Sequence, residues 1–510
     1  MHPRKFVRDW LGLALSNYLA RAVLLLRGVM AAAALGPGGY GSWNALNLIL
    51  DYGSYAPAGA LEGLDLELPA AVAGQPGPAL PSEAWHLLAG AWTIVTLGGA
   101  LLAVAVALVL AFGRSPTVRS LGLAAPLLML AAALLQLTIQ YHLSALKARG
   151  EFGTVSRATV LQVLVGGGLG VALVWRHGIE GLLWGWLAGT ALTLMLVRSR
   201  VAPPLLPADA SRGRALVRAG FPVFACYATS LVLRSVDRLA LLRFGQAADL
   251  GHYSVGLLAI GLVLYLPESA ANVLYPRVAA AARARPGAPG APDPEAARAR
   301  ARLEVTRAQR ALCVALPLLV AIALPWAAPL VGRLLPAFRA GVPALCVLAA
   351  GALMLAVSTV PGYFMLASGH APRLLVLGMA AAAFNAVLVF AVAARAPRPA
   401  PVAAAAATGY ACFALGVVAL AMRELFVARA ERWSFLAGSF APALWGAALA
   451  LAATQLPAAA ALGAAESWGG ALLRSAAVGL GYAPALWHFG RGVGLKRVAR
   501  EWLMARRLPA

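Results

Sequence analysis

Apolar residues in this chain come in repeated runs of about twenty, separated by short stretches rich in Arg, Gly and Pro. A run of that length, wound as a helix at about 1.5 Å per residue, matches the roughly 30 Å hydrocarbon core of a bilayer. Lipid offers no partner for a backbone N–H or C=O, so each run must satisfy its own backbone, as a helix does and a lone strand does not. The pattern predicts spans over 10–35, 41–63, 84–112, 121–145, 153–175, 178–198, 220–244, 251–275, 311–332, 341–368, 372–394, 401–422, 434–456 and 468–489. The expected fold class is therefore an all-α polytopic membrane protein of about fourteen transmembrane helices, with no soluble domain of catalytic size. The opening MHPRKFVRDW leads into the first run without a small-residue cleavage site and reads as the start of a retained span.

Composition agrees. Of 510 residues, 61% are hydrophobic and 12% charged, about half the charged fraction of a soluble domain. The net charge of +23 raises the question of nucleic acid, but its distribution answers it. With the N-terminus in the cytoplasm, 29 loop Lys and Arg residues fall on the cytoplasmic side and 8 on the other, the asymmetry that orients a membrane protein. This predicts no nucleic-acid partner and both basic termini inside. One expected cytoplasmic loop, 64–83, departs from the pattern: it has no Lys or Arg and carries Asp65, Glu67 and Glu83. Cys226, Cys313, Cys346 and Cys412 lie inside apolar runs without CxxC spacing and read as packing residues.

Spans one and two have counterparts in spans seven and eight. Each pair is an arginine-bearing run, a short Gly-containing loop with Tyr40–Gly41 or Gly251–His252–Tyr253, and a second run followed by Pro69 or Pro276. Internal symmetry at six-helix spacing is a common construction of secondary transporters. It predicts a six-helix lobe at 1–198, a cytoplasmic linker at 199–215, a second six-helix lobe at 216–422 and two extra helices at 434–489. A basic amphipathic tail at 490–510 follows, suited to an anionic leaflet. A flexible linker, 286–294, precedes a helix over 295–310, with Asp293 as cap and Pro294 in its first turn.

Ionisable groups at membrane depth cost about 2.5–3.5 kcal/mol each on insertion scales, so they face a partner or a cavity. Here they gather on the leading helices of each lobe. Span one carries Asn17, Arg21 and Arg27, span two Asn44, Asn47 and Asp51, span seven Arg234, Asp237 and Arg238, and span eight Glu268 and Asn272. Span four adds Gln136 and Gln140, and span fourteen Arg474. Arg27 and Asp51 lie about 12 and 15 Å below the outer ends of their spans, a depth at which they meet. Arg234 and Asp237 stand at i, i+3 and are expected to pair, leaving Arg238 over. The expectation is about one spare cation per lobe, in a cleft for an anionic head group; the bland alternative is a set of structural ion pairs. Glu268 reads either as an ion-coupling carboxylate or as an interfacial helix-end residue. No GxxxxGK[ST], HExxH or GxSxG occurs, so the sequence holds no sign of ATP hydrolysis, metalloprotease or hydrolase chemistry and requires no cofactor or metal.

The segments LGPGGYGSWNALNLILDYG at 35–53, FPVFACYATSLVLRSVDRLALLRFG at 221–245 and LGHYSVGLLAIGLVLYLPESAANVLYPRVAAAAR at 250–283, in this order and spacing, resemble the O-antigen type of polysaccharide flippase in the multidrug/oligosaccharidyl-lipid/polysaccharide exporter superfamily. The resemblance implies two six-helix lobes in a V around a central cleft that opens alternately to each side. It implies translocation of an undecaprenyl-pyrophosphate-linked oligosaccharide across a bacterial inner membrane for cell-surface polysaccharide or lipopolysaccharide synthesis. Drive would come from H+, Na+ or the membrane potential. Related lipid flippases hold the diphosphate with arginines on the first helix of each lobe, which places Asn17, Arg21, Arg27, Arg234 and Arg238 in a substrate cleft, with Asp51, Asp237 and Glu268 as ion-pair or coupling residues. Implied partners are membrane lipids, the lipid-linked oligosaccharide, a polysaccharide polymerase and glycosyltransferases, around a monomer that is a transporter and not an enzyme. Two other functions compete: a multidrug cation antiporter of the same superfamily, whose cleft would be acidic, and a membrane glycosyltransferase or polymerase, which would need a larger external loop.

Overall fold

A computed structural model describes residues 3–72, 81–113, 117, 119, 121–200, 209–283, 294–455 and 467–490, with the backbone alone over 3–18 and at 272, 273, 276, 277, 280, 283, 294 and 490. The middle of the first expected linker (201–208), most of the second (up to 293), the capping role of Asp293 and the tail from 491 onward lie outside the described residues, as do the side chains of Asn17 and Asn272. Two compact units emerge: residues 1–254 with 393–398, and 255–392 with 399–510.

The first unit holds α1 (Pro3–Gly53), α2 (Ala60–Val72), α3 (Ser82–Phe112), α4 (Ala124–Ala148), α5 (Phe152–Arg198), α6 (Ala210–Leu233), α7 (Val236–Phe244) and the start of α8 (Ala247–Arg283). The second holds the rest of α8, then α9 (Pro294–Ala323), α10 (Ala327–Leu334), α11 (Val342–Ala367), most of α12 (Ala371–Arg395), α13 (Pro399–Leu425), α14 (Arg429–Thr454), α15 (Trp468–Gly481) and α16 (Ala483–Gly490). Two short 3-10 turns, Leu324–Trp326 and Pro336–Gly341, flank α10. Among the described residues eleven helices are long and apolar enough to cross a membrane. The molecule is an all-α, multi-pass membrane protein. Its surface says so too: Leu97, Leu101, Val104, Leu108 and Phe112 make one exposed stripe along α3, a face stable in lipid and unstable in water.

Two of the eleven helices turn back on themselves. In α1 the turn is Gly36, at φ 65° and ψ 178°, and in α5 it is Gly178, at φ 56° and ψ −134°. Beyond each glycine the chain returns along its own first arm. The arms of α5 touch backbone to backbone: a Cβ on Gly185 would lie 2.2 Å from the Gly170 nitrogen, and one on Gly189 would lie 2.5 Å from that of Gly166. Small residues four apart line one helix face and let two helices approach closely, which drives association where water-mediated hydrophobic force is absent. These two hairpins account for the first, second, fifth and sixth expected spans.

The second expected span stops early. Its helix ends at Gly53, and the chain turns through Pro57, Ala58 (φ 49°) and Gly59 (φ 97°) before α2 begins. Proline has no N–H to extend a helix, and Gly59 brings the turn against α6, where a Cβ would stand 3.1 Å from the Phe221 nitrogen. The supposed acidic loop is thus helical as far as Val72. Leu61, Leu64 and Leu68 face the core at helical spacing while Asp65 and Glu67 stay exposed. Expected span 220–244 is broken into α6 and α7 at Arg234–Ser235. The reverse holds for α9, where the expected helix at 295–310 and the ninth span form one rod starting at Pro294.

Each unit has its own core. The first is built on Leu64, Leu88, Leu137, Tyr141 and Leu146, with the Tyr141 hydroxyl donating to the Leu88 carbonyl at 3.2 Å. The second is built on Val305, Val360, Val418 and Phe435. There Tyr482, between α15 and α16, reaches α9 and α14, its buried hydroxyl within donating distance of the carbonyls of Val314 (3.1 Å) and Pro442 (3.2 Å), and Trp326 Nε1, in the turn after α9, donates to Ser475 Oγ of α15 at 2.8 Å.

Candidate polar site in the first unit

The break between α6 and α7 is the first point of interest. Ser235, fully buried, donates to the Leu231 carbonyl (2.7 Å) and meets the Tyr52 hydroxyl across the unit at 2.7 Å. Next to it, Arg238 Nη1 donates to Asp51 Oδ2 at 2.9 Å. Asp237, also fully buried, accepts the Arg238 backbone N–H at 2.7 Å and the Tyr253 hydroxyl. An unwound turn inside a membrane helix exposes backbone groups that only protein partners or a cavity can satisfy. Here the Ser235 hydroxyl serves the Leu231 carbonyl and the Asp237 carboxylate the Arg238 N–H.

Asp51 is therefore engaged by Arg238 from α7, and the expected Arg27–Asp51 pair is replaced. The reason is the turn at Gly36. The returning arm of α1 starts about four residues earlier than the expected span at 41, which carries Asp51 about 6 Å deeper, below the level of Arg27. The Arg234–Asp237 expectation assumed continuous helix, and the chain is interrupted between the two residues at 234–235. Arg234 sits at the end of α6, half-buried, within electrostatic reach of Tyr55, which also senses Glu62 and Asp51.

Arg27 has a different setting. Its guanidinium carbon lies 5.1 Å from the centre of the Trp43 ring and 4.7 Å from that of Trp186. Trp43 comes from the returning arm of α1 and Trp186 from the returning arm of α5. Both indoles are buried, at 5% and 8% exposure. Arg27 Nη1 and Trp186 Nε1 are buried and have no hydrogen-bond partner among the described residues. Nor does any carboxylate there pair with Arg27. Neighbouring Tyr40, itself buried, interacts electrostatically with Arg27, and its carbonyl accepts Asn44 Nδ2 at 2.8 Å.

Arg21 is exposed on the first arm of α1. Glu268 is half-buried in α8, within the second unit. Gln136 accepts from Gln162, which also reaches Thr190 at 3.4 Å, so it joins α4 to both arms of α5. All four arginines of interest, Arg21, Arg27, Arg234 and Arg238, belong to the first unit. Sequence reasoning missed Trp43, Trp186, Tyr52, Ser235 and Tyr253. A tryptophan in an apolar run carries no sign of its partner, though the flanking Gly185 and Gly189 marked a close helix contact.

Elsewhere in the unit, a cavity of about 390 Å³ between α2, α3 and α6 is lined by Glu67, Glu83 and Arg212 with Leu87 and Leu216. Beside it, Asp209 caps α6: the Arg212 N–H and the Ser211 hydroxyl donate to it at 2.9 and 2.7 Å, which holds its carboxyl below the usual range. Lys147 lies 3.6 Å from Asp65 with both side chains near half exposure, a contact of little energetic weight. Among the described residues no group of three His, Cys, Asp or Glu side chains is arranged to hold a metal.

No family model matches the chain, and no curated protein matches it in sequence. Solved structures do match in fold. A lipid II flippase, MurJ, in an inward closed conformation superposes with a TM-score of 0.69 over 93% of this chain and 98% of its own, at 12% identity. An inward-facing multidrug resistance MATE family transporter of the MOP superfamily gives 0.56 over 86% and 96%, at 14% identity. The Vibrio cholerae MATE transporter VcmN, in a point-mutant form, gives 0.55 over 83% and 97%, at 12% identity. The chain has the fold of these transporters.

Proposed function

We propose that this protein moves a lipid-linked oligosaccharide across a bacterial inner membrane by alternating access, in the service of cell-surface polysaccharide synthesis. The observation that carries the reading is Arg27, a guanidinium inside an apolar, membrane-spanning fold, in contact with two tryptophans and without a carboxylate partner among the described residues. Arginine is rarely buried unless paired, and an unpaired cation at that depth suits an anionic cargo. The fold shared with a lipid II flippase supports the same class of cargo. In this reading the polyprenyl tail stays in lipid, while Arg21 and Arg27, with Arg234 and Arg238 near the helix break, meet the pyrophosphate. Both termini lie in the cytoplasm, and Glu268 is a candidate for proton or sodium coupling.

Likeness to MATE transporters favours a second reading, a multidrug cation antiporter. It needs acidic groups open to a cation, and Asp51 is already engaged by Arg238. Reconstituted protein separates the two. Labelled undecaprenyl-pyrophosphate oligosaccharide should change leaflet in proteoliposomes under a proton gradient, a sodium gradient or an imposed potential. Arg21→Ala and Arg27→Ala should each slow this by about ten-fold or more, the weight of one charged hydrogen bond. Translocation no faster than in empty liposomes under all three conditions, with robust dye efflux instead, would reverse the order of the readings.

A further inference from the structure

The indoles of Trp43 and Trp186 both lie against the Arg27 guanidinium. A cation–π contact is worth less than the cost of taking a charge out of water. Two such contacts offset part of that cost and give the guanidinium N–H groups no acceptor. Its Nη1 is buried without an acceptor, and so is the indole Nε1 of Trp186, a side chain more than nine-tenths buried. An unmade hydrogen bond on a buried donor is destabilising, and the folded protein carries this deficit on both members of one contact. Both donors belong to the same stacked pair, and Asp51, the carboxylate that would have served Arg27, is bonded elsewhere.

From this we infer that Arg27 and Trp186 form a two-donor notch for one oxyanion of the cargo, a phosphoryl or carboxylate group, with the Trp186 N–H as a specificity-determining contact. The chemistry follows from the donors. Two N–H groups and one positive charge beside two indoles match an acceptor that is both anionic and small. Arg27 retains some exposed surface, which gives the ligand its approach; the two sealed donors become available as the indole swings from the stack. The inference deepens the proposed function and rests on it for the source of the oxyanion, which is either the pyrophosphate of the carrier lipid or an acidic sugar.

The test uses the full-length protein in nanodiscs, titrated calorimetrically with inorganic pyrophosphate, with glucuronate and with neutral glucose. Trp186→Phe keeps a ring against Arg27 and removes only the N–H. Pyrophosphate or glucuronate should bind about ten-fold or more weakly to this variant, the weight of one hydrogen bond to a charged group, with glucose unaffected. Without ligand the variant should melt no lower than the unmodified protein, because an unserved buried donor has been removed, and the rise in melting temperature given by the oxyanion should shrink. A purely structural Trp186 gives the opposite pair, a lower melting temperature with the same oxyanion response. Response to pyrophosphate alone assigns the notch to the carrier; response to glucuronate alone assigns it to the glycan. Equal affinity in Trp186→Phe, or no binding of either oxyanion to unmodified protein, overturns the notch. If translocation persists in that case the flippase reading stands; if binding is Trp186-dependent but no lipid-linked sugar moves, the flippase reading alone falls.

Discussion

At the scale of single residues, two arginines of the first unit differ in their partners: Arg238 meets a carboxylate and Arg27 two indoles. Asp51 and Arg238 pair at 2.9 Å, with 37% and 11% of their side chains exposed, so the pair is drier than a surface bridge and should couple more strongly than one. A double-mutant cycle of Asp51→Asn and Arg238→Gln, followed by thermal or denaturant unfolding in detergent, should return a coupling of about 1–3 kcal/mol. The cycle of Asp51→Asn with Arg27→Gln should be additive within about 0.5 kcal/mol, as for sites that share no bond. A strong coupling in the second cycle would place Asp51 with Arg27 after all. The depth arithmetic on the sequence set Arg27 and Asp51 at nearly one level because it gave the whole Gly-containing stretch 36–40 to a loop. The backbone turns at Gly36 alone, and one tight glycine turn is enough to slide the register.

At the scale of elements, glycine decides where helices stop and how closely they meet. The Gly181, Gly185 and Gly189 row on the second arm of α5 lies against the Gly166 and Gly170 row on the first. Gly185→Ala drives a methyl into the Gly170 backbone at 2.2 Å, and neither backbone can retreat without opening the hairpin. This variant should lose several kcal/mol, seen as a large drop in melting temperature or as loss of monodisperse protein. Gly168→Ala is its control: a Cβ there meets nothing within 4 Å, and alanine is favoured over glycine in a helix by about 0.5–1 kcal/mol. It should be neutral or stabilising. Equal effects of the two changes would mean that the arms do not meet at these glycines. The GxxxG spacing was legible in the sequence; which of the neighbouring glycines face the partner arm and which face away was not, because that depends on the rotation of both arms.

At the scale of the whole molecule, orientation remains tied to the loop charges. With Cys226, Cys313, Cys346 and Cys412 replaced by alanine, Ser199→Cys should react with a membrane-impermeant thiol reagent only from the cytoplasmic side, and Gly113→Cys only from the other. The reverse pattern would invert the topology that the 29-to-8 distribution of Lys and Arg predicts. The same scale shows what the sequence determined by itself. Apolar runs fixed the solvent, the helical class and most of the spans, since a segment facing lipid must satisfy its backbone locally and therefore announces itself locally. The tertiary structure alone decided three things: the helix break at Arg234–Ser235, the transfer of Asp51 from Arg27 to Arg238, and the enclosure of Arg27 by Trp43 and Trp186. Each joins side chains distant in the chain, and each turns on a rotation or register of only a few ångströms. Residue spacing along one helix reports depth in the bilayer, but it says nothing of the direction in which a side chain finds its neighbour.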